Sequence, residues 1–434
     1  MAHGQTLSDL LNKAETNGPL IAAKRFEENA AADQVRSTRN ATLPSLDAAY
    51  QLNYATYNNI TGMAAPQYFI PISGPPSVDN QYSPVFGSAA SLLMNWDILT
   101  FGQRNARTDI ARANQKVAAA DTQYEILRTK VTISENYLDV LFAGELIKVF
   151  QKNLDRSRER VKEMTVLTET GLRPAVDSAL FQAEVSRASI ELLNAQKVLE
   201  SRKLLLAEAV GEENISYDND SGIFDRLPSA KVDTSSHNNP LLRLSQARVE
   251  SSIQQRKLIQ RTLYPKLSLW ATTYARGSGI RYDGYVNSED GLSFTRYNYG
   301  FGLQFSLPIL RFIDTRTQLN QSENITRAHE ERLRQARLQL RTQNGIADLT
   351  LQYAIQSARQ SPAFYDAAKF AYDALYTRYN AGLANYADLV QAQYGLLKAE
   401  SDLKKSYLEA WKALLYGAAV QGDLDQFLNQ IGKQ

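Results

Sequence analysis

Two aspartates are the clearest candidates for a functional charge, because both follow the same short motif. Asp177 and Asp388 each stand six residues after a glycine that is followed by leucine. Each also lies where a new helical pattern begins, and the free N–H groups of a helix start stabilise a carboxylate by about 0.3–1 kcal/mol. One interpretation of the pair is therefore purely structural. The other gives the two carboxylates a function that these residues alone do not define.

The rest of the composition offers little material for catalysis or metal binding. Cysteine is absent, and the three histidines, His3, His237 and His329, are far apart in the sequence. Disulfides, thiolate chemistry and clustered histidine sites are therefore excluded or disfavoured. The net charge of +2 indicates no polyanionic partner, so nucleic-acid binding is disfavoured. We expect no enzymatic activity, no cofactor and no metal site.

The segments that carry the aspartates, 171–177 and 382–388, each predict a tight reversal between two helices. Glycine accepts positive φ at a helix C-terminus, and Pro174 or Asn385 suits the start of the next helix. The glycines of the two segments are 211 residues apart, as are the two aspartates, and Pro19 and Pro240 are 221 apart. We interpret the chain as two structural repeats, 1–238 and 239–434, that differ by an insertion in one loop.

Long helices should lead into both reversals. Between residues 97 and 173 there is no proline, and small and apolar residues keep a 4-3 spacing that predicts a coiled-coil helix of about 65 residues, or on the order of 100 Å. A second such helix should span about 314–379, with a kink near Pro362. Irregular segments at 211–238 and 417–434 should form joints at which short helices stack end to end. By length, we expect the two helices that flank the first joint to pair, and the last helix to pair with the first.

Alternation with a period of two predicts four strands, in hairpins at 46–96 and 265–309. The clearest strand has one uncharged face, formed by Tyr297, Tyr299, Phe301, Leu303, Phe305 and Leu307. Open strand edges cannot face lipid, and four strands are too few to close a barrel. Closure in a membrane would therefore require several copies of the chain.

No apolar run long enough for a transmembrane helix occurs, and the N-terminus lacks the apolar core of a signal peptide. Either the chain is cytoplasmic or the sequence is a mature form with a new start.

The chain resembles the TolC-like outer-membrane efflux channels. The residues that carry the resemblance are Leu-Pro-Ser-Leu at 43–46, the segment 96–104 that begins Trp-Asp-Ile-Leu, Leu-Pro-Ile-Leu at 307–310, and the two reversals. The match covers nearly the whole chain in both halves. It implies a mixed α and β membrane protein, in which a long helical-hairpin α-barrel is continued by a transmembrane β-barrel. Each chain would supply four strands, and trimerisation would close a barrel of twelve.

The resemblance also implies a function. The trimer would be an exit duct across the periplasm and outer membrane of a Gram-negative bacterium for drugs, metals or secreted substrates. It would be driven by an inner-membrane pump of the RND, ABC or MFS class through a periplasmic adaptor protein, and its barrel would contact outer-membrane lipid. The runner-up is a coiled-coil scaffold, or a pore-forming toxin whose strands insert on assembly.

Roles for single residues follow from the same resemblance. Asp388 matches a position whose carboxylates ring the closed periplasmic mouth, and Asp177, Tyr379 and Arg173 are further candidates for the gate or for ion selectivity. Two departures from the family pattern, Ala384 in place of an arginine and Gln391 in place of a second acid, imply that the gate is locked differently.

The remaining candidates would contact partners or lipid. The exposed tips implied as the adaptor-docking surface are Gly171, Leu172, Gly382 and Leu383. An exposed leucine on a tip has no core to enter and needs a partner. Trp96, Trp270 and Tyr297 are either plain packing residues or an aromatic belt at the lipid–water boundaries.

Overall fold

The protein is described here by a computed structural model. It describes residues 5–56, 58, 79–80, 82–170, 174–217, 221–229, 239–281, 283 and 285–431. Of the predicted site residues, Gly171, Leu172 and Arg173 lie outside this part of the chain.

Helices make up most of the described chain, as the sequence predicts. The break expected near Gly18 and Pro19 separates the first two helices, and Pro362 lies inside the sixth. The α-helices of the described residues are α1 (Leu7–Asn17), α2 (Pro19–Asn40), α3 (Gln103–Glu169), α4 (Ala175–Val210), α5 (Pro240–Arg261), α6 (Arg311–Asn380), α7 (Tyr386–Gln421) and α8 (Asp425–Ile431).

The helix lengths support two repeats. The helices α3 and α6 have 67 and 70 residues, α4 and α7 have 36 each, and α2 and α5 have 22 each. The segment 417–434, expected to be irregular, is mostly helical, because α7 continues to Gln421 and α8 follows. This expectation was wrong because the alanine-rich end of α7 is buried, and burial of an apolar face sustains a helix beyond its clearest periodicity.

In the part of the chain that the structure describes, four strands form one antiparallel sheet in the order β1-β2-β3-β4. The outer hydrogen-bonding edges of β1 and β4 have no partner strand among the residues described. The strands are β1 (Ser45–Ala55), β2 (Val85–Leu99), β3 (Lys266–Ser278) and β4 (Arg296–Ser306).

The register gives this sheet two unlike faces. Residues paired directly across antiparallel strands point to the same side, so the pairings assign each side chain. The apolar face contains Leu46, Tyr50, Leu52, Leu92, Met94, Trp96, Leu267, Leu269, Ala271, Tyr297, Tyr299, Phe301, Leu303 and Phe305. The polar face contains Ser45, Asp47, Gln51, Asn53, Ser91, Asn95, Asp97, Ser268, Trp270, Thr272, Asn298, Gly300, Gly302 and Gln304.

The chain divides into two compact units, each with its own packing. In the first, a buried cluster that includes Leu10, Leu138, Trp411 and Phe427 forms the main core, and the indole of Trp411 donates a hydrogen bond of 2.9 Å to the carbonyl of Ile223. This unit comprises Met1–Ala31, Asn114–Glu250 and Arg327–Gln434. The second unit comprises Ala32–Ala113 and Ser251–Thr326, and it contains the sheet.

The two helix joints are built alike: in each, a glycine that ends one helix lies against the proline that begins another. The helices that meet are not the pairs expected from helix lengths. At the end of α4, Gly211 has φ of 88° and lies so close to Pro19 at the start of α2 that a Cβ would clash with it. At the end of α7, Gly422 has φ of 87°, and a Cβ there would lie 2.8 Å from Cδ of Pro240 at the start of α5. Thus α4 meets α2 and α7 meets α5. The expected pairs, α4 with α5 and α7 with the first helix, were wrong because length alone does not define which ends touch.

No helix within the described ranges combines the length and the apolarity that crossing a membrane requires.

Candidate gate at the helix tips

The second reversal is an exposed helix end built by glycine and asparagine. Gly382 has φ of 74° and donates its N–H to the carbonyl of Tyr379, while the N–H of Leu383 binds the carbonyl of Arg378. The Asn385 side chain then caps α7 by accepting from the N–H of Asp388 at 2.8 Å. The side chain of Leu383 is 70% exposed. The chain reverses direction at 382–388, and the leucine of this reversal faces solvent in the single chain.

The two predicted gate residues Asp177 and Tyr379 lie together. The phenol of Tyr379 donates a hydrogen bond of 3.2 Å to the carboxylate of Asp177 in the first turn of α4. Tyr379 is only 2% exposed and packs against the ring of Phe181 and the sulfur of Met164. This bond joins the end of α6 to the start of α4.

Asp388 does not join that contact. Its side chain is exposed, and within the described part of the chain no hydrogen bond or ion pair reaches its carboxylate. The two aspartates that look equivalent in sequence therefore differ: Asp177 accepts a bond from α6, and the carboxylate of Asp388 is exposed to solvent.

Two clusters near the tips were missed by the sequence analysis. In the first, the α3–α6 clasp, the carboxylate of Glu163 accepts a hydrogen bond from the phenol of Tyr376. Arg160 lies 3.4 Å over the Tyr376 ring, binds Glu163 at 2.9 Å and donates to the phenol of Tyr372 at 3.4 Å. Burial raises the pKa of the Tyr376 phenol, so the proton of the hydrogen bond stays in place at neutral pH.

The second cluster, the α4–α7 clasp, repeats this chemistry. The phenol of Tyr394 donates to Glu184 at 2.5 Å, and the guanidinium of Arg187 lies 4.3 Å over the same ring. Burial raises the pKa of the Tyr394 phenol, and it raises the pKa of Tyr386, which donates to the carbonyl of Leu180, to about 12. Each clasp thus joins a tyrosine of one helix to an arginine and a glutamate that lie one helical turn apart on another helix.

The sequence carries a signal for the contacts that α6 makes. Tyr365, Tyr372 and Tyr379 recur at intervals of seven, which puts their rings on one face of α6. Their partners could not be assigned, because the sequence does not fix which helix lies opposite.

A further ion pair and an amide network bind α3 to α7. The guanidinium of Arg156 makes a two-pronged contact with the carboxylate of Glu400, at 3.1 and 2.8 Å. The buried amide of Gln393 donates to Asn153 at 3.1 Å and to Ser157 at 2.9 Å. The tips are therefore held by directed polar bonds as well as by apolar packing.

The three aromatics predicted for a lipid boundary do not share a face. Trp96 and Tyr297 lie on the apolar face and are 37% and 75% exposed. Trp270 lies on the polar face, opposite Gly302. The prediction does not fit Trp270 if the apolar face meets lipid, because alternate residues of a strand point to opposite sides of the sheet.

The first unit also contains a cavity. A largely apolar cavity of about 250 Å³ between α3 and α4 is lined by Leu146, Phe150, Glu191, Val198 and neighbouring residues. Burial raises the pKa of Glu191, whose Oε2 atom is enclosed without a hydrogen-bond partner. Across the described residues, no group of three or more histidine, aspartate or glutamate side chains is suited to hold a metal.

Comparison with known proteins agrees with this architecture. A family model described as outer membrane efflux protein matches residues 10–212 and 232–416. The chain belongs to this family. No curated protein matches it by sequence.

Solved structures of channels have the same fold at low sequence identity. VceC from Vibrio cholerae is 17% identical with a TM-score of 0.75, over 96% of this chain and 96% of its own. The CmeC outer membrane channel of Campylobacter jejuni is 14% identical with a TM-score of 0.76, over 96% and 85%. The open state of the MtrE outer membrane channel of Neisseria gonorrhoeae is 14% identical with a TM-score of 0.69, over 96% and 89%. The predicted fold class, long helices with a four-stranded antiparallel sheet per chain, is confirmed.

Proposed function

We propose that the chain is one protomer of a homotrimeric channel-tunnel of the outer membrane of a Gram-negative bacterium. The observation that carries the proposal is the sheet with one apolar face, one polar face and two unpaired edges. Such a sheet satisfies its backbone in lipid only when its edges pair with other strands. Three copies give twelve strands, with the apolar face towards lipid and the polar face towards a water-filled lumen.

The channel is an exit duct for drugs, metals or secreted substrates, and the energy comes from an inner-membrane pump of the RND, ABC or MFS class. A periplasmic adaptor links the two at the helix tips. The exposed Leu383 beside Gly382 supports this docking role, and Leu172 beside Gly171 is the counterpart by the repeat. The protein itself catalyses no reaction in this account.

The gate is the set of contacts between the repeats at the tips, and the Tyr379–Asp177 bond is the contact at the very ends of α6 and α4. A hydrogen bond to a charged acceptor contributes about 1.5–3 kcal/mol, and 1.4 kcal/mol changes an equilibrium tenfold. Opening would separate α6 from α4 and break this bond in each copy. Arg173 stands beside the link in sequence and is retained as a candidate partner of Asp177.

Single-channel currents in planar bilayers test the gate. Tyr379→Phe keeps the packing but removes the hydroxyl, so we expect the open probability to rise by about tenfold or more. The matched control is Tyr353→Phe, which removes an exposed hydroxyl from the same helix. Asp177→Asn should give a similar increase, and the double variant should add little to either single change. Equal currents for wild type, Tyr379→Phe and Tyr353→Phe would contradict this gate.

A further inference from the structure

The indole of Trp270 packs directly against the backbone of β4. A Cβ on Gly302 would lie 2.9 Å from Cζ2 and 3.1 Å from Nε1 of the indole, and a Cβ on Gly300 would lie 3.5 Å from Cζ3. The indole therefore covers two successive same-face positions of β4. One side of the ring rests on the glycines, so the other side turns away from the sheet.

The two glycines are best explained by this ring. Glycine inside a strand weakens it and often marks the close approach of another group. Both lie on the polar face, where the neighbours of Trp270 besides the glycines are five polar residues and one leucine: Asn95, Asp97, Ser268, Thr272, Gln304 and Leu93. A partly exposed indole with mostly polar neighbours and one leucine has little apolar surface to pack against.

We infer that Trp270 faces the aqueous lumen of the barrel and is a contact for flat aromatic solutes, with cationic rings preferred. The inference rests on the proposed function, which assigns the polar face to the lumen. Three copies would place three indoles at one level of the pore. The outward side of each ring is available for stacking, and the negative face of an indole attracts a cation.

Tryptophan fluorescence of the full-length protein in lipid vesicles separates the two faces. Trp96→Phe leaves Trp270 and the buried Trp411 as emitters, and the matched variant Trp270→Phe leaves Trp96 and Trp411. Phosphatidylcholine with brominated acyl chains quenches indoles that face lipid. We expect it to quench the Trp270→Phe protein strongly and the Trp96→Phe protein little, whereas aqueous acrylamide quenches the Trp96→Phe protein.

The solute contact is tested on the same proteins with 1-methylnicotinamide, a flat aromatic cation that quenches an indole on ring contact. For the Trp96→Phe protein we expect saturable quenching with an unchanged fluorescence lifetime. For the Trp270→Phe protein we expect the quenching to be about fivefold weaker. Purely collisional quenching would overturn the solute contact and leave the proposed function standing. Equal quenching of both variants by brominated lipid would overturn the lumenal position. If brominated lipid quenches neither variant, the membrane barrel fails and this inference fails with it.

Discussion

At the scale of single residues, the two aspartates with the same sequence context have different surroundings. Asp177 accepts a bond from Tyr379, whereas the Asp388 carboxylate is exposed. In the proposed trimer, three copies of Asp388 would lie near one axis and would favour cations. The second aspartate is therefore a candidate for selectivity and the first for mechanical closure.

Reversal potentials in planar bilayers test the selectivity role. Asp388→Asn should lower the preference for cations over anions, since it removes one negative charge per copy at the mouth. The control is Asp373→Asn, which removes an exposed carboxylate from α6. If both variants keep the wild-type reversal potential, Asp388 does not contribute to selectivity.

Glu191 gives a prediction about pH. Burial raises its pKa, so the folded state holds a proton more readily than the unfolded chain. The favourable contribution of Glu191 to folding stability is present below the ordinary carboxyl pKa and is lost as pH rises through the raised pKa. Glu191→Gln should therefore raise the thermal unfolding midpoint at pH 7 and change it little at pH 4. Glu208→Gln, an exposed change on the same helix, should show no such difference. Equal shifts at both pH values would count against a buried carboxylate.

At the scale of elements, much of the fold could be predicted from the sequence. Strand alternation gave the apolar residues of β4, and the Gly-Leu motifs gave the reversal after α6, because these signals are local. The contact of Gly422 with Pro240 could not be predicted, because it depends on which distant segments meet. The polar-face position of Trp270 was missed for a local reason: in β3 its large ring interrupts an otherwise plain alternation of Leu267, Leu269 and Ala271 with Ser268 and Thr272.

The joint between α7 and α5 gives a stability prediction with an internal control. Gly422→Ala should destabilise the protein by more than about 1 kcal/mol, because φ is positive and the new Cβ meets Asn239 and Pro240. Gly395→Ala, inside the same helix with nothing within 4 Å of a Cβ, should stabilise it by roughly 0.5–1 kcal/mol. Chemical unfolding of both variants measures the difference. Opposite signs are required, and a stabilised Gly422→Ala protein would contradict the joint.

Asn239 connects the two helix ends at the same joint. Its side chain accepts from the N–H of Leu241 at 2.8 Å, which caps α5, and donates to the carbonyl of Val420 at 2.7 Å, near the end of α7. One buried amide thus satisfies orphan groups of two helix ends. Two short helices can stack end to end only where the free N–H and C=O groups of the two ends have hydrogen-bond partners. The joints are therefore needed for any tunnel built from these helices.

At the scale of the whole molecule, the proposed channel requires the sheet to close. A sheet cannot face lipid with unpaired edges, and the described part of each chain supplies four strands. A stable monomer obtained without detergent would favour a scaffold or a toxin that inserts only on assembly. Family membership and the two-faced sheet favour the channel.

Electron cryo-microscopy of the protein, extracted from membranes into lipid nanodiscs, would show how the sheet closes. We expect three copies around one axis, twelve strands in a closed barrel, lipid against the apolar face that includes Phe301, and Trp270 in the lumen. A closed assembly with lipid against the polar face, or a particle with a single copy of the chain, would contradict the proposed channel.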